Sequence, residues 1–289
     1  MPGNAPKRRV DSVKPNPKGA QALHIGELRF GLQSLSKHAF SFGYDVGHGI
    51  MYAMSKETYV RSRSLLGNET FERLSSIHVA IFGVGGVGGW CAEALLRTGV
   101  KHLTIVDDDL VAESNINRQR QALPSTVGKP KVSVLRDMLL EIVPDATIDP
   151  IATRYTPENA DCFSELLDSC DFVIDAIDSI DCKAHLIHRC ASSSDRKPSA
   201  IFSSMGAALR TDPTKIRIAP FHKVAGDGLA KALRNRFRKS GIPLPKHLCT
   251  YSEELPSNPT DTVKGSIMPV TCAFGMALAS LVVQAARNG

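Results

Sequence analysis

Ser76–Asp109, SIHVAIFGVGGVGGWCAEALLRTGVKHLTIVDDD, decides the fold. It opens on His78-Val79-Ala80-Ile81-Phe82, a short apolar run suited to a strand buried on both faces. Gly83-Val84-Gly85-Gly86-Val87-Gly88-Gly89 follows, then an apolar helical pattern through Leu96 that stops at Gly99. A second buried strand, Leu103–Val106, ends on Asp107-Asp108-Asp109. Strand, glycine turn, helix, strand and acid compose a nucleotide-binding βαβ unit. Gly83, Gly85 and Gly88 fit G-x-G-x-x-G: one for the tight turn, one admitting a phosphate to the backbone, one letting helix meet strand. The helix start then offers unpaired N–H groups and the positive end of its dipole. Asp107 lies 24 positions beyond Gly83, where an acid can hold ribose hydroxyls. The glycines alone would suit any tight α/β turn. The flanking strands and the acid point to a nucleotide, without saying which.

Downstream, Leu110–Gly128 is too polar for core and too long for a plain connection, and such loops are often functional. Its Ser114-Asn115-Ile116-Asn117-Arg118-Gln119 gathers donors just beyond the Asp107 end of the sheet. Lys129-Pro130-Lys131 opens a helix with Val132, Leu135, Met138, Leu139 and Ile142 on one face. Lys131 is an unusual cation for a helix start, and suits either plain solvation or a bound phosphate. A short strand is expected at 146–151, a helix over 157–167, and a buried strand Asp171–Asp178 that ends on an acid. Ligands gather at the carboxyl ends of strands in open α/β sheets, so Asp107 and Asp178 are expected to face one crevice. Asp178 also suits the N-cap of a helix over 181–190.

Pro198–Ser203 is a further strand, and Ile216–Ala219 is expected as a strand leaving the main sheet. Gly228–Lys239, GLAKALRNRFRK, is helical, with Leu229, Leu233 and Phe237 on one face. Residues 241–262, rich in Pro and Ser and without periodicity, are expected as a mobile loop or flap carrying Cys249. Val270–Ala286 is an apolar helix whose uninterrupted apolar stretch is short for a bilayer, so a core or dimer-interface place is expected over a membrane span.

The chain has 289 residues, 43% of them hydrophobic and 22% charged, as in ordinary globular proteins. Its seven cysteines form no C-x-x-C pair, which disfavours a structural zinc site or a disulfide framework and suits a reducing cytoplasm. The net charge of +6 is unevenly placed: residues 205–250 hold ten Lys/Arg against two acids. Lys231, Arg234, Arg236, Arg238 and Lys239 crowd one helix there, which suggests a face for an anionic polymer. Residues 1–53 are poor in pattern and lack a signal-peptide apolar region. They are expected as a disordered extension, or as sequence ahead of a true start at Met51 or Met54. Met54–Leu74, with Arg61, is polar and helical. The division expected is thus 1–53, a core over 54–204, and a smaller basic part over 205–289.

G-V-G-G-V-G, an Asp-ended second strand, S-N-x-N-R-Q, V-G-x-P-K and a D-x-x-D strand end occur in that order. Together they resemble the ubiquitin-activating-enzyme-like adenylyltransferases of the ThiF/MoeB/HesA type. N-I-N-R-Q, D-A-I-D-S with Lys183 after it, and the basic C-terminal part are most similar to the tRNA threonylcarbamoyladenosine dehydratases within them. The resemblance implies a Rossmann-like α/β fold with a mostly parallel sheet, a homodimer, and ATP with Mg²⁺. It implies that Gly86 and its neighbours hold ATP phosphates and Asp107 the ribose. Ser114, Asn115 and Arg118, with Lys131, would bind the triphosphate, and Asp178 the metal. Arg61, in YVRSRSLLG, matches an arginine that reaches the partner subunit's site, although Thr58 stands where that pattern has its first arginine. Cys249 falls where these dehydratases often carry a cysteine. The reaction implied is adenylation of the threonylcarbamoyl carboxylate, then ring closure with net loss of water.

Three other functions compete. An adenylyltransferase could activate the C-terminus of a ubiquitin-like sulfur carrier, against which the missing zinc cysteines argue. An NAD-dependent oxidoreductase would satisfy the glycines and Asp107 but leave Arg118, Lys131 and Asp178 without work. A non-catalytic, nucleotide-gated RNA-binding module would turn over no ATP.

Overall fold

The computed structural model describes residues 57–192, 201–257 and 264–288; the expectations for 1–53 fall outside them. The polar N-terminal helix is two helices, α1 (Val60–Leu66) and α2 (Asn68–Ser76). They break at Gly67, whose φ of 81° few side-chain-bearing residues adopt. The βαβ unit follows as β1 (His78–Phe82), α3 (Gly88–Thr98) and β2 (His102–Val106). Then come α4 (Lys131–Ile142), β3 (Thr147–Ile151), α5 (Ser164–Ser169), β4 (Phe172–Asp175) and α6 (Ile180–Ser192). β5 (Ile201–Ser204), β6 (Ile216–Pro220), α7 (Gly228–Lys239), β7 (Leu248–Ser252) and α8 (Met268–Asn288) complete the chain.

Among the described residues seven strands form one sheet in the order β3-β2-β1-β4-β5-β7-β6. The pairings are parallel except that of β6 with β7. This is a Rossmann-like α/β fold. From β1 the chain builds outward through β2 and β3, then returns to lay β4 on the other side of β1. The loops after β1 and β4 therefore diverge and open a crevice at the carboxyl ends of the strands.

Side chains alternate along β1 into two apolar layers. Val79 and Ile81 pack with Leu95, Leu135, Leu278 and Val282 of α3, α4 and α8. Ala80 and Phe82 pack on the other face with Leu167, Leu186, Leu233 and Phe237 of α5, α6 and α7. By length and composition α8 could cross a membrane, with a mean hydropathy of 1.6. Here it lies along α3, with Phe274, Leu278 and Val282 fully buried. The two helices meet so closely that a Cβ on Gly275 would stand 2.6 Å from the Val87 carbonyl oxygen.

Three expectations are corrected. Ile216–Pro220 does not leave the main sheet; it pairs antiparallel with β7 at the edge. The expected flap over 241–262 contains β7, a strand inside the sheet between β5 and β6. Its Leu-Cys-Thr-Tyr-Ser run hides from apolar pattern because Thr250 and Ser252 are buried polar residues. The strand expected to run to Asp178 ends at Asp175, whose buried carboxylate pairs with Lys183 Nζ at 2.8 Å while the backbone turns away.

Candidate active site

The crevice is a cavity of about 920 Å³. Its floor begins with the glycine loop. Gly83 has φ 87°, and a Cβ there would stand 2.7 Å from the Ala176 carbonyl oxygen. A Cβ on Gly88 would lie 1.9 Å from the Gly83 carbonyl oxygen, so the loop and α3 close together only with glycine at both positions. Gly88 acts from behind; Gly83, Gly85 and Gly86 line the cavity. No side chain caps α3, and although the Gly89 N–H donates to the Gly85 carbonyl at 3.2 Å, the positive end of the helix dipole is left to what lies in the crevice.

Asp107 fastens the end of β2 to this loop. Its Oδ2 accepts from the Val84 N–H and its Oδ1 from the Asp109 N–H, both at 2.9 Å. Burial raises its pKa, an effect those two hydrogen bonds and nearby Lys131 oppose. Each carboxylate oxygen keeps a lone pair for a further donor. Asn115 is buried and its Oδ1 accepts from the Ala112 N–H at 3.0 Å. Arg118 is held by the Ser114 carbonyl and Asn117 Oδ1, each at 2.8 Å, and the indole of Trp90 donates to its carbonyl at 3.0 Å. Ser114 thus serves through its backbone and does not line the cavity.

Lys131 is buried at the start of α4, with Nζ 2.7 Å from Asp109 Oδ2. The carboxylate offsets the unfavourable placement of a cation at a helix start. Asp178 is exposed on the far side of the glycine loop and lines the cavity without a hydrogen-bond partner among the described residues. Helix α6 begins at Ile180, and no hydrogen bond from Asp178 caps it.

The structure therefore brings Gly83, Gly85, Gly86, Asp107, Asn115, Arg118, Lys131 and Asp178 to one cavity. Other expected residues stand elsewhere. Arg61 is exposed on α1 and does not line it. Lys231, Arg234, Arg236, Arg238 and Lys239 lie on α7, whose Gly228, Leu229 and Ala232 do line it. All three arginines are bound within the molecule, Arg238 only to Asn235 Oδ1 on its own helix at 3.0 Å. Arg234 donates to the Val224 carbonyl at 2.9 Å, and Arg236 to Asp181 at 2.6 Å. Cys249 is no loop cysteine: it is fully buried on β7, 3.3 Å from His247 Nε2, and burial pushes its thiol pKa up. A buried thiol of raised pKa is a poor nucleophile.

This chain matches the ThiF family over residues 59–288. It belongs to the ThiF family. It is 41% identical over 184 residues to the tRNA threonylcarbamoyladenosine dehydratase of Bacillus subtilis, covering 64% of this chain and 70% of that one. The enzyme of that name from Escherichia coli is 32% identical over 233 residues, or 75% and 84% of the two chains. A crystal structure of the E. coli enzyme in complex with AMP superposes with a TM-score of 0.74 at 30% identity, covering 79% of this chain and 93% of that one.

Sequence reasoning missed three elements of this ThiF-family cavity. Arg154 lines it just beyond β3 and binds Asp108 at 3.0 Å; the carboxyl-end rule that singled out Asp107 applies to it equally. The buried Lys183–Asp175 pair holds the turn before Asp178, with Lys183 Nζ also 3.1 Å from the Ile177 carbonyl. The third is a buried pair, Arg210 with Asp227, whose only sequence signal is that Asp227 directly precedes a helix.

Proposed function

We propose that this protein is an ATP-dependent tRNA threonylcarbamoyladenosine dehydratase. The observation that carries the proposal is the course of α7. Its first turn lines the cavity that holds the glycine loop, and its outer turns expose Lys231, Arg238 and Lys239. A polyanion lying along those cations would have one nucleoside next to the nucleotide cavity, and neutralising its phosphates would supply affinity. The named relatives and the phosphate-binding geometry of the glycine loop support the same activity.

The chemistry asks little of the protein beyond placement. The substrate carboxylate attacks the α-phosphorus of ATP in line, pyrophosphate leaves, and the neighbouring carbamoyl group then displaces AMP as the ring closes. The carboxylate attacks as it is, so adenylation needs no protein nucleophile or general base and rests on positioning and charge compensation; ring closure releases the carbamoyl proton to water as AMP leaves. Asp107 would hold the ribose, the glycine loop and the α3 N-terminus the phosphates, and Asn115, Arg118 and Lys131 the charge that develops. Lys131 must exchange part of its contact with Asp109 for a phosphate oxygen, and that acid, half exposed, loses little by it.

Asp178 fits Mg²⁺ better than the neighbouring acids do. It is an exposed hard-oxygen donor on the cavity wall with no hydrogen bond among the described residues, and Mg²⁺ is held in such sites by one or two carboxylates with substrate phosphates. The clustered Asp107, Asp108 and Asp109 are already engaged by the Val84 N–H, Arg154 and Lys131. When bound, the ion would neutralise phosphate oxygens.

Arg61, outside its own cavity, would complete the site of a second copy in a homodimer. Activation of a ubiquitin-like carrier would use the same first step, but the run of exposed cations on α7 favours RNA. The deciding experiment incubates tRNA bearing threonylcarbamoyladenosine with the protein and ATP, followed by mass spectrometry of the nucleosides. Loss of one water, dependent on ATP and accompanied by AMP, is expected. An unchanged nucleoside would sink the proposal.

A further inference from the structure

Facing the glycine loop, the cavity has a second wall made by Met205–Arg210 after β5 and by the start of α7. Its buried cation is Arg210, whose side chain is 2% exposed. Nη2 donates to Asp227 Oδ2 and Nη1 to the Ala208 carbonyl, each at 3.2 Å, while the buried Nε–H has no partner among the described residues. Asp227 also accepts from the Gly206 N–H at 3.1 Å and from the Ala230 N–H at 2.8 Å, which caps α7. The guanidinium is thus held in place with donors to spare, the Nε–H among them. A buried charged donor left unmatched is costly, and that cost is removed by an acceptor.

A second observation falls on the neighbouring residue. Leu209 has φ 62°, the one left-handed non-glycine residue among those described. Its N–H donates to the Gly265 carbonyl at 2.9 Å, and its carbonyl accepts from the Ser257 N–H at 3.0 Å. Strain that the surroundings over-determine in this way collects where a ligand must be met in a set geometry.

We infer that Arg210 is the specificity residue for the second substrate: its guanidinium, on the cavity wall, donates to a carbonyl or carboxylate oxygen of the acyl substituent on the nucleoside. The inference rests on the dehydratase proposal. Asp227 cancels the charge of Arg210, so this wall selects by hydrogen-bond geometry rather than by attraction for phosphate. Met205, Ala207 and Leu229 beside it are apolar, as suits a short acyl chain and not a phosphodiester. A site built around one buried donor strongly rejects an analogue that lacks the matching acceptor.

The test measures binding of two tRNAs, one with threonylcarbamoyladenosine and one with unmodified adenosine at the same position. Wild type is expected to prefer the modified tRNA at least tenfold. In Arg210→Met/Asp227→Asn, which removes both charges and keeps a side-chain cap on α7, the preference is expected to fall within about twofold of unity. Arg210→Lys keeps the charge and the partner but not the planar donor, and is expected to lose most of the preference while melting close to wild type. Full preference in either variant would overturn the role of Arg210. A wild type that dehydrates tRNA beside a variant that still discriminates removes Arg210 alone; a wild type that neither discriminates nor dehydrates removes the function and the inference together.

Discussion

The two walls of the cavity hold their charges differently. On the glycine-loop wall each ion pair has a member open to water. Asp109 is 51% exposed beside Lys131, and Arg154 is 59% exposed beside Asp108. On the opposite wall Arg210 and Asp227 are 2% and 1% exposed. Beneath the cavity, Lys183 and Asp175 are buried completely. Pairs at the water surface contribute little and can re-form around an incoming anion. Buried pairs cannot, because breaking one strands a charge. The nucleotide wall is therefore adaptable and the facing wall is rigid, as suits a triphosphate that changes charge during reaction and a substituent that must be recognised by shape.

The largest effect expected is on turnover. Asp178→Ala should lower kcat by about a hundredfold or more, through loss of metal-assisted charge compensation, without changing the melting temperature. Mixing it with Arg61→Ala protein should restore part of the activity through hybrid dimers. If exchange of subunits is demonstrated and activity stays absent, Arg61 does not serve a partner's site.

Next is the contrast between the pairs themselves. Lys183→Met should cost about 3–5 kcal/mol in urea unfolding, since Asp175 is left buried and unpaired. Lys131→Met should cost roughly 1 kcal/mol or less, because Asp109 stays solvated. Equal costs would erase the distinction between rigid and adaptable regions.

A smaller effect concerns α7. Reversing Lys231, Arg238 and Lys239 to Glu should raise the tRNA KM by about tenfold and flatten its salt dependence. Arg234 is a poor choice for that experiment, because its guanidinium holds the Val224 carbonyl and lies over the Phe221 ring. An unchanged salt slope in the triple variant would leave α7 without an RNA role.

The last effect is a pH dependence. Burial lowers the pKa of His247 from 6.5 to about 3. Above pH 6.5 the ring is neutral whether the chain is folded or unfolded. Below it the unfolded chain takes a proton that the folded one refuses, so stability falls as pH drops from 6.5 toward 3, by up to about 1.4 kcal/mol per pH unit. Urea midpoints at pH 7 and pH 5 should differ less in His247→Gln than in wild type. An identical pH response would show that another group sets it.

The sequence by itself determined the half of the molecule whose signals are local. A βαβ unit announces itself through an apolar run, a helical period and glycines that no other residue replaces, as the close approaches at Gly83 and Gly88 show. The acid at the end of β2 and the S-N-x-N-R loop were legible for the same reason, being set by position along a short stretch. Only tertiary structure decided the rest. β7 carries too many hydroxyls to look like an interior strand, and it becomes one because helices cover both faces of the sheet. The partners of Lys131, Arg154 and Lys183 come from the loop after β2 and the end of β4, which no periodicity records. Arg210 meets Asp227 across 17 positions of chain, and its meaning depends on being buried beside a cavity whose other wall begins at Gly83. Burial and long-range pairing follow from packing, and packing is what a linear pattern does not contain.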